Sequence, residues 1–137
     1  MAVVKELLRA EESGSISFGD YTLPEKAKLE DYPHEGDLLK VKTFKDITKL
    51  EKNGLFVYES VPGTKVESFR ETADGMEFRV SGAEAAQITL GMEDDTEYEV
   101  FVNGTGTGKV QTGLGGKLSV SVELSEGAPV EVRVTRA

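Results

Sequence analysis

The sequence predicts an all-β protein: an antiparallel β-sandwich, immunoglobulin-like or jelly-roll-like, assembled from successive hairpins. Three observations carry this. Asn-Gly or Asp-Gly pairs recur at Asn53-Gly54, Asp74-Gly75 and Asn103-Gly104, and such pairs supply the positive φ that two-residue hairpin turns require. Apolar and polar residues alternate with period 2 through the last third of the chain. Turn signals return at intervals of about 8–12 residues, without the roughly 10–15-residue helical stretches that a parallel α/β sheet needs between strands.

In chain order, the first ten residues admit two readings. Val3, Val4, Leu7 and Leu8 suit a short helix, and equally a strand running into a turn at Glu12-Ser13-Gly14. The strand is preferred, because Ser15–Phe18 would return as its hairpin partner. Pro24–Lys28 suits a short helical turn. Ala27–Asp31 and Leu38–Phe44 read as strands, with a turn after Tyr32-Pro33-His34-Glu35. Ile47–Leu50 and Leu55–Tyr58 flank Asn53-Gly54, and Val66–Phe69 and Met76–Val80 flank Asp74-Gly75, with Met76, Phe78 and Val80 on one face. Tyr98, Val100 and Val102 alternate with Glu97, Glu99 and Phe101; Leu118, Val120, Val122 and Leu124 alternate with polar neighbours, and so do Val130, Val132 and Val134. A register slip of one residue would turn each apolar set out into water, so the register is well specified. The length of 137 residues suits one domain, with an internal seam near Val61-Pro62-Gly63.

Composition narrows the function. The absence of cysteine removes disulfides, zinc–thiolate sites, iron–sulfur clusters and cysteine nucleophiles. Net charge is −9, of which residues 1–70 carry −2 and residues 71–137 carry −7. Duplex binding rests on Lys and Arg neutralising phosphates, so no nucleic acid partner is expected, and no membrane partner either. The N-terminus lacks a basic stretch followed by an apolar one, so a cytoplasmic location is expected, with release by a dedicated export system or lysis as the other route.

Catalytic readings find little support in the residues. His34 is the one histidine, and its place in a predicted turn suggests no triad. Gly104-Thr105-Gly106-Thr107-Gly108-Lys109 has a glycine-rich, phosphate-loop look, but Asn103 and Val110 stand where that motif needs Gly and Ser or Thr. It is read as a hairpin loop, and Gly113–Gly116 as a tight turn. Glu93-Asp94-Asp95 lacks the alternating spacing of a calcium loop and is read as an acidic link between strands. No metal, cofactor or catalytic residue is assigned. Sugar binding would call on exposed aromatic platforms; with no Trp, the candidates are Tyr32 first, then Tyr21 and Tyr58.

The run Tyr98-Glu-Val-Phe-Val-Asn103-Gly104, Gly108-Lys-Val-Gln-Thr112 and Gly115-Gly-Lys-Leu-Ser-Val-Ser-Val-Glu-Leu124 resembles the closing strands of β-sandwich accessory modules in polysaccharide lyases and glycosidases. The stretch from Val41 to Thr64 is similar to short Firmicutes proteins labelled "endosialidase". The resemblance implies a stand-alone sandwich module. The expectation is a non-catalytic structural or interaction protein that assembles with itself, as a homo-oligomer, or docks on a larger protein partner. A carbohydrate-binding module is the alternative, and a small glycoside hydrolase the second.

Overall fold

The computed structural model describes residues 4–137. Thirteen strands follow one another: β1 (Leu8–Ala10), β2 (Ile16–Phe18), β3 (Ala27–His34), β4 (Asp37–Phe44), β5 (Ile47–Lys52), β6 (Leu55–Val61), β7 (Lys65–Glu71), β8 (Gly75–Ser81), β9 (Ala86–Gly91), β10 (Glu97–Val102), β11 (Thr105–Gln111), β12 (Lys117–Val122) and β13 (Val130–Arg136). No helix occurs among the described residues. The strands form two antiparallel sheets, one ordered β1-β2-β7-β8-β13-β10-β11 and the other β12-β9-β6-β5-β4-β3. The protein is therefore an antiparallel β-sandwich.

Alternation places the core as expected. Met76, Phe78 and Val80 of β8, Tyr98 and Val100 of β10, Leu118 and Val122 of β12, and Val130, Val132 and Val134 of β13 are all buried. Phe18, Tyr58, Phe69 and Phe78 form a ring chain across the middle, with centroids 5.3–5.7 Å apart. One cluster takes residues from both sides of Pro62. The seam near 61–63 is where the chain finishes the β3–β6 meander and crosses to the other sheet as β7.

That crossover is fastened by hydroxyl groups. Thr64 Oγ1 lies 2.7 Å from Tyr58 Oη and 2.8 Å from Ser60 Oγ. Thr48 Oγ1 donates to the Thr64 carbonyl at 2.9 Å and accepts from its amide at 3.1 Å. Thr43 Oγ1 stands 2.8 Å from Thr48 Oγ1 and accepts the Asp20 amide. Thr43, Thr48, Ser60 and Thr64 are all buried, and no buried side-chain polar atom among the described residues lacks a partner. A Cβ on Gly63 would come within 2.1 Å of the Phe44 carbonyl, and one on Gly19 within 2.3 Å of the Thr64 carbonyl. The loops meet backbone to backbone, as glycine allows.

Several expectations are corrected. Of the strand preferred at the N-terminus only Leu8–Ala10 is present, as β1 paired with β2; Val4–Leu7 make a turn, with Leu7 at φ 71°, and residues 1–3 lie outside the described residues. Pro24–Lys28 makes no helical turn; Ala27 and Lys28 already pair with Thr43 and Lys42, so sheet pairing overrides local propensity. The predicted loop Gly104–Lys109 is a turn only at Asn103-Gly104, with φ of 51° and 82°; Thr105 onward is strand β11. Asp74-Gly75 marks a hairpin, but Gly75 does not take up positive φ. A Cβ there would stand 1.8 Å from the Val134 carbonyl, so this glycine admits β13 and does not shape the turn. His34 ends strand β3, and the turn falls on Glu35-Gly36.

Replacing Thr64 with Val keeps the shape but leaves the hydroxyls of Tyr58 and Ser60 without their shared partner. A buried group so orphaned costs about 1–3 kcal/mol. Urea unfolding of Thr64→Val is expected to show a loss in that range; an unchanged midpoint would remove the network from the account of stability.

Candidate functional site

The three tyrosines considered for ligand contact do not come together as a platform. Tyr58 is fully buried at the centre of the ring chain. A register shift between Leu50 and Glu51 on β5 puts Val57 and Tyr58, neighbours in sequence, both inside. Tyr21 is 8% exposed and donates its hydroxyl to Glu126 Oε1 at 3.0 Å. Tyr32 is half-buried and packs against the core from β3, not from a turn. Burial, then the Glu126 carboxylate, pushes the Tyr21 phenol up to about 12. Burial likewise pushes Tyr58 up.

Two concavities among the described residues lie one at the end of the sandwich where the β1–β2, β3–β4, β5–β6 and β7–β8 turns gather and one on a sheet face. One, of about 320 Å³, is floored by Ile16, Leu39, Leu50, Val57 and Phe69 and rimmed by His34, Lys52, Arg70 and Glu71. Lys52 is bound by Glu71, and Arg70 by Glu77. His34 Nε2 lies 3.0 Å from the Gly14 carbonyl and so carries the donated proton. Ser13 bonds Ser15 at 2.8 Å. Histidine, serine and rim cations thus each have other partners. A second depression, of about 360 Å³, holds Arg70, Arg79, Glu77 and Glu131 on the outer face of the seven-stranded sheet.

The outer face of the six-stranded sheet carries a row of lysines. Lys28 stands opposite Lys42, and Lys42 opposite Lys49. Glu30 pairs with Lys40 and Glu51 with Lys49, each at 3.5 Å, while Lys28 and Lys42 have no ion-pair partner among the described residues. Partial burial, and then Lys26, Lys49, Lys28 and Lys40, lower the Lys42 pKa. The split of charge between the chain halves foreshadows this row, since residues 1–70 hold most of the lysines.

Among the described residues four strand edges are free, and a free edge offers a template of unpaired amides and carbonyls. Three are blunted. β1 has three residues. β3 carries Lys28, Glu30, Asp31 and Pro33, with a register irregularity between Leu29 and Tyr32. β11 carries Lys109 and an irregularity opposite Val100/Phe101. Short length, charge, proline and bulges are the devices that keep edges from pairing. β12 has none of them from Leu118 onward. It pairs with β9 over six consecutive residues without a shift. Lys117, at its start, leans back over the Phe56 ring, 5.1 Å from the centroid. The outer face beside it is neutral: Ser119 and Ser121, with Thr89 and Gln87 on β9.

The backbone of β12 is also poised. Met92 donates its amide to the Gly116 carbonyl, and the register places Lys117 opposite Gly91. Hydrogen-bonded and open positions alternate in an antiparallel ladder. The amides and carbonyls of Lys117, Ser119 and Ser121 therefore point away from β9. The alternation of β12 was legible in the sequence; its position as an edge was not, because strand order is not written in periodicity.

The chain matches no protein-family profile, no curated protein and no solved structure.

Two outcomes are expected. Unfolded tyrosines release their protons from about 10, whereas Tyr21 holds its own to about 12. A raised native pKa gives stability that is present below the unfolded value and lost as pH climbs through the native one. Circular dichroism at rising pH should thus show stability falling between pH 10 and 12, and Tyr21→Phe should flatten that fall. Replacing Lys42 with Gln removes like charges facing each other across two strand pairs. It is expected to stabilise the fold by about 0.2–1 kcal/mol at low salt, and the gain should shrink near 1 M salt, where screening acts within about 3 Å.

Proposed function

We propose that this protein is a non-catalytic interaction module whose working surface is the open edge of β12, to which an added strand pairs. The observation that carries the reading is the contrast among edges: three are blunted, and β12 is regular, uncharged beyond Lys117 and open along three outward-facing residues. Strand addition draws affinity from main-chain hydrogen bonds and specificity from alternate side chains. Val120, half-buried and packed against the core, would gain a cover on the inner side. The reading agrees with what the resemblance to accessory modules implies, a stand-alone sandwich.

A synthetic peptide with the sequence Gly116–Leu124 supplies a strand of matching pattern. Titrated into the isotope-labelled protein, it is expected to shift amide resonances of β12 and β9 and to leave β3 and β11 unmoved. Ser119→Pro removes an outward amide while leaving the ladder to β9 whole, since proline is tolerated on an edge strand. It should weaken peptide binding about tenfold, the equivalent of some 1.4 kcal/mol, while circular dichroism stays native. Ser121→Pro serves as the second variant. Binding that ignores both prolines, or shifts centred on another edge, would refute the reading.

A further inference from the structure

We infer that the strand which completes β12 is the β12 of a second copy of this chain, paired antiparallel about a two-fold axis at Val120. The inference rests on the edge reading above and adds the identity of the occupant.

Self-complementarity carries it. An isologous contact repeats one surface on both partners, so each residue and its opposite number must suit each other in both directions. A two-fold at Val120 sets Ser119 opposite Ser121 of the second copy, Leu118 opposite Val122, and Lys117 opposite Glu123. Parity agrees with this register. Lys117, Ser119 and Ser121 turn their amides and carbonyls outward, and the register joins odd residues to odd residues. The hydrogen bonds therefore form between groups that are already free.

The side chains agree too. Leu118 and Val122 are buried on the inner face, and Val120, half-buried there, meets its own copy. Ser119 and Ser121 meet on the outer face. Lys117 and Glu123 are both exposed, and the pairing brings opposite charges together at each end once the Lys117 side chain swings from the Phe56 ring to the second copy. Moving the axis to Ser119 would set Lys117 against Ser121 and leave Glu123 unmatched. Of the registers that parity allows, the one about Val120 matches Lys117, the first residue of β12, with Glu123, the residue just after it. The six-stranded sheets of the two copies would then run on as one.

The chain has no cysteine, which makes a direct test clean. Val120 would face Val120 at a position without mutual hydrogen bonds, where Cα atoms stand about 4.5 Å apart, within disulfide reach. Full-length Val120→Cys, gently oxidised, is expected to give a disulfide-linked dimer, whereas Val110→Cys on β11 stays monomeric. Light scattering on the unmodified protein should show a dimer at high concentration. Lys117→Glu and Glu123→Lys should each weaken it on the order of tenfold, as attractive pairs opposite one another become repulsive, and the double exchange should restore it. A wild-type monomer at all concentrations, or crosslinking through Val110 in place of Val120, would overturn the inference. If the peptide Gly116–Leu124 still binds β12 in that case, the edge reading stands and the second copy alone fails. If it does not bind, both fall.

Discussion

Three hydroxyl groups, those of Tyr58, Ser60 and Thr64, meet between the sheets at the point where the chain leaves one for the other. Apolar contact holds the sheets together but is indifferent to small displacements, whereas hydrogen bonds of 2.7–2.8 Å are not. Thr48 extends the arrangement to the Thr64 backbone, and Thr43 to the Asp20 amide. The β2–β3 crossover, the β4–β5 turn and the β6–β7 crossover are thereby tied at one end. In a low-dielectric interior an unpaired member would be costly, so the set is selective for one arrangement of loops. Gly19 and Gly63 complete it by letting backbones touch where any side chain would intervene.

The opposite end of the sandwich is looser. There the turns of β3–β4, β5–β6 and β7–β8 gather around a cavity floored by core side chains and rimmed by mutually paired charges. A closed polar end and an open, ion-paired one follow from where threonine and glycine fall in the chain. Once β9 has paired with β6 and β10 with β13, β12 and β11 are left as edges of their sheets.

Much of this was legible in the sequence. Alternation marked the strands from Tyr98 onward, and Asn53-Gly54 and Asn103-Gly104 take the positive φ that their identity suggests. Misreadings have physical causes. Gly75 reads as a turn former because Asp-Gly is a turn signal, yet a distant strand needs the space. The glycines of β11 disguised a strand that is exposed on both faces and so needs no apolar alternation. Tyr58 reads as a surface candidate in the sequence because a bulge in its own strand, where Val57 is the extra residue between Phe56 and Tyr58, is invisible to periodicity and turns two successive residues inward. For the candidate site, the strand β12 itself could be read, and its neutral face with it. What sequence could not supply was strand order, and an edge exists only through strand order.

Charge poses the strongest objection to two copies meeting, since each carries −9. The objection weakens with distance. The lysine rows sit on β3–β5, and in a sheet continued through β12 the two β5 strands would be seven strand intervals apart, about 34 Å at the usual spacing near 4.8 Å. That is several times the screening length of about 8 Å at physiological salt. The lysine rows then neither attract nor repel one another, and the diffuse negative charge acts mainly on the rate of encounter. The contact itself is decided locally, where Ser, Val and Leu meet and Lys117 faces Glu123. An acidic protein can in this way remain soluble over most of its surface and still keep one neutral, regular edge on which another copy fits.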